Sequence, residues 1–165
     1  MSGDSGARND ARCQRFRVRA AAQVLVLSLH RWPLTATMQI ERRTEGTVLV
    51  IDDDDAMRRV LRDFLQRDGH RVVEAANGEA AVSMVEVESI DVVILDKEMP
   101  GMNGMDVLSF LHRRFPSTPV ILITAFGGPH VAEESFRRGA VEYIEKPFRL
   151  SNVVDRVQKL IDDAP

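Results

Sequence analysis

DVVILDKEMPGMNG, residues 91–104, is the stretch that decides the fold. Its Val/Ile/Leu run is too short for a helix, and no polar alternation marks a solvent-facing side, so it reads as a strand over 91–95 buried on both faces. Asp96 follows the apolar run directly. Pro100 and Gly101 shape a turn, and Asn103 with Gly104 opens a helix that has to end before Pro116.

Outward from this segment the same grammar repeats. Apolar runs at 47–51 (TVLVI), 71–75 (RVVEA), 119–123 (PVILI) and 141–145 (VEYIE) read as further strands, with longer amphipathic stretches between them. The first helix, about 55–68, places Met57, Val60, Leu61, Phe64 and Leu65 on one stripe and stops at Gly69. Asn77 and Gly78 open the second helix, Pro129 opens the fourth, which ends at Gly139, and the fifth runs from about Ser151 to Ile161. Strict alternation of strands and helices predicts an α/β doubly wound, five-stranded parallel sheet with right-handed crossovers and helices on both faces. In such sheets ligands collect at the carboxyl ends of the strands.

The residues read at those ends are Asp52 and Asp53 after the first strand, Asp96 after the third, Thr124 after the fourth, and Lys146 with Pro147 after the fifth. Carboxylates brought together on one rim repel one another and resist joint ionisation unless a cation lies among them. Oxygen donors without histidine or cysteine point to a hard ion, and a site that must also accept phosphate oxygens suits Mg2+. A carboxylate nucleophile, a divalent ion, a lysine and a hydroxyl together are what phosphoryl transfer to an acidic side chain requires, with Asp96 as the nucleophile.

Four stretches, VLVIDDDD, DVVILDKEMPGMNG, VILITAFG and YIEKPF, resemble in order and spacing the signature segments of response-regulator receiver domains, a likeness that covers about residues 46–163. The resemblance implies a flavodoxin-like sheet of order 2-1-3-4-5. It implies Asp96 as phosphoacceptor, with Mg2+ held by Asp53, Asp96 and the backbone carbonyl of Glu98, and by Asp52 through water. It further implies Lys146 and Thr124 as the groups that stabilise the phosphoryl, Thr124 and Tyr143 as the switch pair, and a cis bond before Pro147. The implied partners are a sensor histidine kinase or phosphotransfer protein upstream, and a downstream protein or a second copy of the chain on the face of the fourth helix, fifth strand and fifth helix. Glu98, two residues after Asp96, and Phe126, two after Thr124, vary within the family and are expected to tune the lifetime of the phosphoryl group.

Blander readings stand beside these. Asp54 and Asp55 read as helix-capping acids rather than ligands. Tyr143 alone would be a half-buried strand aromatic, and Met99, Met102 and Met105 gap-fillers. Histidines 30, 70, 112 and 130 show no ligand spacing and are expected on loops or exposed helix faces. An aspartate-nucleophile phosphatase on a related sheet resembles DxDx[TV] at its nucleophile, with the second Asp as the acid/base group, whereas here Asp96 is followed by Lys97 and Glu98 and there is no cap insertion. A pure interaction module would usually have lost Asp53, Asp96 or Lys146, and all are present.

The formal net charge of −3 offers no overall positive field for a phosphate backbone, so direct nucleic-acid binding is not expected. Cys13 is the single cysteine, which excludes a disulfide framework within the chain and fits a reducing, cytoplasmic setting. The apolar run from Ala20 to Leu29 falls well short of the roughly 20 residues of a membrane span. Residues 1–45 form an extension that is Arg-rich and acid-poor over residues 1–38, read as a disordered tail or as upstream sequence ahead of an initiator at Met38, with a targeting peptide as the minor reading. Residues 46–163 are expected to fold without it.

Overall fold

The computed structural model describes residues 45–164. Contacts divide the chain into two units, Met1–Glu41 and Arg42–Pro165, and the described residues belong to the second. The expectations for the N-terminal extension, His30 and Cys13 lie outside them.

Strands β1 (Thr47–Ile51), β2 (Arg71–Ala75), β3 (Val92–Asp96), β4 (Val120–Thr124) and β5 (Glu142–Glu145) alternate with helices α1 (Asp55–Arg67), α2 (Gly78–Val85), α3 (Gly104–Arg114), α4 (Pro129–Arg137) and α5 (Leu150–Asp162). All pairings are parallel, in the order β2-β1-β3-β4-β5. This is the doubly wound order expected. The inner strands β1, β3 and β4 are almost wholly buried, which is why they carry continuous Val/Ile/Leu runs; β2, at an edge, is mostly half-buried and admits Arg71 and Glu74.

Alternate residues of each inner strand face opposite layers. Val48, Val50, Val92, Ile94, Ile121 and Ile123 pack against Leu61 and Leu65 of α1 and Val153, Val157 and Ile161 of α5. Leu49, Ile51, Val93, Leu95 and Leu122 pack against Ala81 and Val85 of α2 and Val107, Leu108 and Leu111 of α3. Met99 and Met105 are buried in this second layer. Helix starts follow the capping rules: Asp54 accepts from the N–H groups of Ala56 and Met57, Asn77 from Ala80, and Asn103 from Met105. After α1 the chain reverses at Gly69 with φ 97°, in the left-handed region.

Three expectations need correction. Strands β3 and β4 begin and end one residue later than read, because Asp96 still pairs with Ile123 and Thr124 with Glu145 in the ladder. Asp96 and Thr124 are therefore the last residues of their strands rather than the first after them. Val60 and Phe64 are 41% and 39% exposed, not part of the core stripe. They lie about 100° round the helix from Leu61 and Leu65, and a helix lying on a sheet buries only the narrower strip above the strands. His70 is not on an exposed loop but buried; its backbone N–H donates to Leu65 O and neither ring nitrogen has a hydrogen-bond partner, with Asp68 Oδ2 3.5 Å from Nε2. The tight reversal at Gly69 turns the ring inward where a looser loop would leave it in solvent. Among the described residues no helix is long and apolar enough to cross a membrane.

Candidate functional site

The carboxyl ends of β1, β3, β4 and β5 form one rim, and the order of the sheet sets β1 beside β3. Asp52, Asp53 and Asp96 thereby meet, with one oxygen from each lying within 4.8 Å of the others. Asp52 and Asp96 are each only 3% exposed, whereas Asp53 faces solvent. Asp52 is held on several sides: its Oδ1 accepts from Asp54 N at 2.8 Å, its backbone oxygen accepts from Arg58 Nη1 at 2.7 Å, and its own N–H donates to Ala75 O.

Lys146 reaches into this acidic group from the end of β5. Its Nζ donates to Asp96 Oδ1 at 3.1 Å and to Asp52 Oδ2 at 3.3 Å. The Lys146–Pro147 peptide is cis. The Asp96 carboxyl is pushed up to about 6, by burial first and then by Asp52 and Glu98, with Lys146 opposing them. For Lys146, burial works to lower the pKa, but hydrogen bonds and charge from Asp96 and Asp52 outweigh it and the ammonium is held above its ordinary range. One ammonium thus serves two buried carboxylates with a third alongside, a net negative, all-oxygen cluster open on the Asp53 side. That is the donor set and charge a hard divalent cation fits.

Thr124 and Glu98 make a second arrangement beside the first. The Thr124 hydroxyl donates to Glu98 Oε1 at 2.7 Å and accepts from Phe126 N at 3.1 Å, while Ala125 N donates to Glu98 Oε2 at 2.8 Å. Lys97 Nζ donates to Glu98 Oε1 at 2.6 Å. Burial alone would raise the Glu98 pKa, but Lys97, Thr124 and the Ala125 amide outweigh it and hold the carboxyl below its ordinary value. Phe126 is 74% exposed on the lip of the rim.

Tyr143 is half-buried on β5. Its hydroxyl accepts from Gly128 N and donates to Glu145 Oε1, both at 3.2 Å, and its pKa is raised by burial, with the Gly128 amide opposing and Glu145 reinforcing. Beside Lys146 an open cleft of about 620 Å3 is lined by Met57, Val60, Pro147, Phe148 and Leu150 among others, which accounts for the exposure of Val60.

All the side chains singled out from the sequence thus come to one end of the sheet, Asp52, Asp53, Asp96 and Lys146 in one cluster and Thr124 with Glu98 in the next. Sequence reasoning missed three participants. Arg58 was one helical turn into α1 and carried no motif. The Ala125 amide is a backbone group, which no side-chain pattern reveals. Gly104 was read only as a helix opener, but a Cβ there would come within 2.5 Å of Asp96 O and 2.7 Å of Lys97 Cα, so its lack of a side chain lets α3 close against the backbone that carries Asp96.

The family model described as response regulator receiver domain matches residues 48–158. The response regulator protein FleR of Pseudomonas aeruginosa is 39% identical over 112 residues, which are 68% of this chain and 24% of that protein. The transcriptional regulatory protein ResD of Bacillus subtilis is 34% identical over 122 residues, 74% of this chain and 50% of that protein. The chain therefore spans between about a quarter and a half of the length of these curated relatives. Among solved structures, the response regulator protein TrrA from Thermotoga maritima in complex with Mg(2+)-BeF aligns over 70% of this chain and 98% of that one, with TM-score 0.64 and 33% identity.

Proposed function

We propose, from the premise that this chain belongs to the response regulator receiver domain family, that it is a phosphorylation switch in which Asp96 accepts a phosphoryl group from phosphohistidine on a sensor kinase or phosphotransfer protein. The observation that carries the reading is the convergence of Asp52, Asp53 and Asp96 within 4.8 Å, with Lys146 bridging Asp96 and Asp52. A carboxylate oxygen of Asp96 attacks phosphorus, an O–P bond forms, and the P–N bond of the donor breaks with its electrons returning to the imidazole.

Mg2+ bound among these acids would offset charge on the phosphoryl oxygens. Asp53 and Asp96 are the carboxylates that would hold it directly, the Glu98 carbonyl a further ligand, and Asp52 a partner for metal-bound water. Lys146, already on the Asp96 oxygen, keeps the nucleophile oriented before transfer and neutralises the product afterwards. The Thr124 hydroxyl turns toward the new anion, and Tyr143 follows into the space this vacates. The donor protein approaches over the apolar cleft beside Lys146, and the output surface is the α4-β5-α5 face, where a downstream protein or a second copy docks according to phosphorylation state. Phe126 and Glu98 set the phosphoryl lifetime. The setting is cytoplasmic, this segment does not itself bind nucleic acid, and the only chemistry it carries out is its own phosphorylation and hydrolysis.

The test is intact mass after incubation with acetyl phosphate, with and without Mg2+, for the wild type and Asp96→Asn. One phosphoryl group gained only with Mg2+ and only in the wild type supports the reading. A folded wild type that gains none, or a variant that gains as much, overturns it.

A further inference from the structure

We propose that the Glu98 carboxylate is a built-in anion seated on the Thr124 hydroxyl and Ala125 amide, and that a phosphoryl group on Asp96 has to evict it to engage them. The inference rests on the reading of Asp96 as phosphoacceptor and adds a regulatory element to that site.

A hydroxyl has one proton and a backbone amide has one. Here both are already spent: Thr124 Oγ1 donates to Glu98 Oε1 at 2.7 Å and Ala125 N to Oε2 at 2.8 Å. The two oxygens of one carboxylate bridge donors on adjacent residues at the end of β4, the forked contact that two oxygens of a phosphoryl group would make in their place. Two features keep the carboxylate there. Its Oε1 also takes a hydrogen bond from Lys97 Nζ at 2.6 Å, and the side chain is 26% exposed, so water competes only weakly for it. The site is consequently divided, with Lys146 committed to Asp52 and Asp96 and the Thr124–Ala125 pair committed to Glu98. Thr124 cannot serve both anions, so the occupancy of the phosphoryl state is set partly by how firmly Glu98 holds its seat.

Two effects of Glu98 can be separated by chemistry. Its charge repels an incoming anion whether or not it is seated; its length lets it reach the Thr124 and Ala125 donors. Glu98→Gln removes the charge and keeps the length. Glu98→Asp keeps the charge but is one methylene too short to bridge both donors.

The experiment measures binding of beryllium fluoride in saturating Mg2+ to the wild type and both variants, together with the Ala125 amide resonance in protein free of metal and fluoride. Loss of competing charge-assisted hydrogen bonds should tighten analogue binding on the order of tenfold in both variants, and move the Ala125 amide resonance in both before any ligand is added. Tightening in Glu98→Gln but not in Glu98→Asp would mean that repulsion alone operates, and would overturn the seat. Unchanged affinity in both, or an Ala125 resonance unmoved in both, would overturn it as well. If the folded wild type binds no beryllium fluoride, the phosphoacceptor reading itself fails and this inference falls with it; if the wild type binds and the variants bind no tighter, the inference alone fails.

Discussion

Lys146 Nζ lies 3.1 Å from Oδ1 of Asp96, yet the Asp96 carboxyl is held at about 6, far above an ordinary aspartate. Burial and the neighbouring Asp52 outweigh the ion pair, because the same ammonium is shared with Asp52 at 3.3 Å. An attractive contact and an unfavourable environment therefore coexist in one residue, and the balance between them can be measured.

The sign follows from proton binding. Between an unfolded value of about 3.9 and the folded value, the native state holds a proton that the unfolded state has lost, so this group's contribution to stability falls as pH rises through that window. Asn imitates the protonated acid. In the absence of divalent cations, Asp96→Asn should stabilise the fold by about 1–3 kcal/mol at pH 7.5 and by almost nothing below about pH 4. Urea denaturation at the two pH values checks this, and an equal effect at both would be inconsistent with it.

Mg2+ should bind more tightly as Asp96 loses its proton. The affinity is expected to climb between pH 5 and pH 7.5, and Asp53→Ala, which removes the exposed carboxylate of the cluster, should weaken it about tenfold or more. Calorimetric titration with Mg2+ across this range supplies the measurement. A pH-independent affinity would place the ion away from Asp96.

Phe126 stands 74% exposed, and its backbone N–H is bonded to the Thr124 hydroxyl, which supports the proposal that its ring hinders hydrolytic water. Phe126→Ala should speed loss of the phosphoryl group severalfold while changing stability by no more than about 0.5 kcal/mol, as for an exposed site. Decay of phosphorylated protein followed by mass would settle the point; an unaltered decay rate removes Phe126 from lifetime control.

Gly104 has no room for a methyl group, since its Cβ would meet the backbone at Asp96 and Lys97 rather than a movable side chain. Gly104→Ala should cost about 1–3 kcal/mol through overpacking, and because the strain falls on the Asp96 backbone, it should also weaken Mg2+ binding. Stability and metal titration on the same preparation test both effects.

The sequence revealed most of this where side-chain type carries the information. Residues 92–95 could hardly be other than a doubly buried strand, and Asp52, Asp96 and Lys146 declared themselves as charges placed at strand ends. What remained hidden depended on contacts between distant segments. Whether Asp96 closes its strand or follows it turns on a ladder partner, Ile123, contributed by another strand. That Val60 and Phe64 are exposed depends on how wide a strip of α1 the sheet covers, and that His70 is buried depends on the turn at Gly69. The destination of the Glu98 side chain, 26 residues away at Thr124, leaves no trace in local pattern.

The sheet order has a consequence for when the molecule becomes competent. Asp52 and Lys146 are 94 residues apart in sequence yet 3.3 Å apart in space, and Asp96 lies between them on the strand flanked by β1 and β4. Contacts so remote along the chain form only after long loops have closed, and they belong to the slow, late part of folding. During synthesis, a nascent chain that has displayed Asp52 and Asp53 still lacks Asp96, and one that has displayed Asp96 still lacks the Lys146 ammonium. The acidic rim gains its lysine only when β5 takes its place at the sheet edge, so a nascent chain that has not yet reached β5 presents Asp52, Asp53 and Asp96 with no ammonium to bridge them.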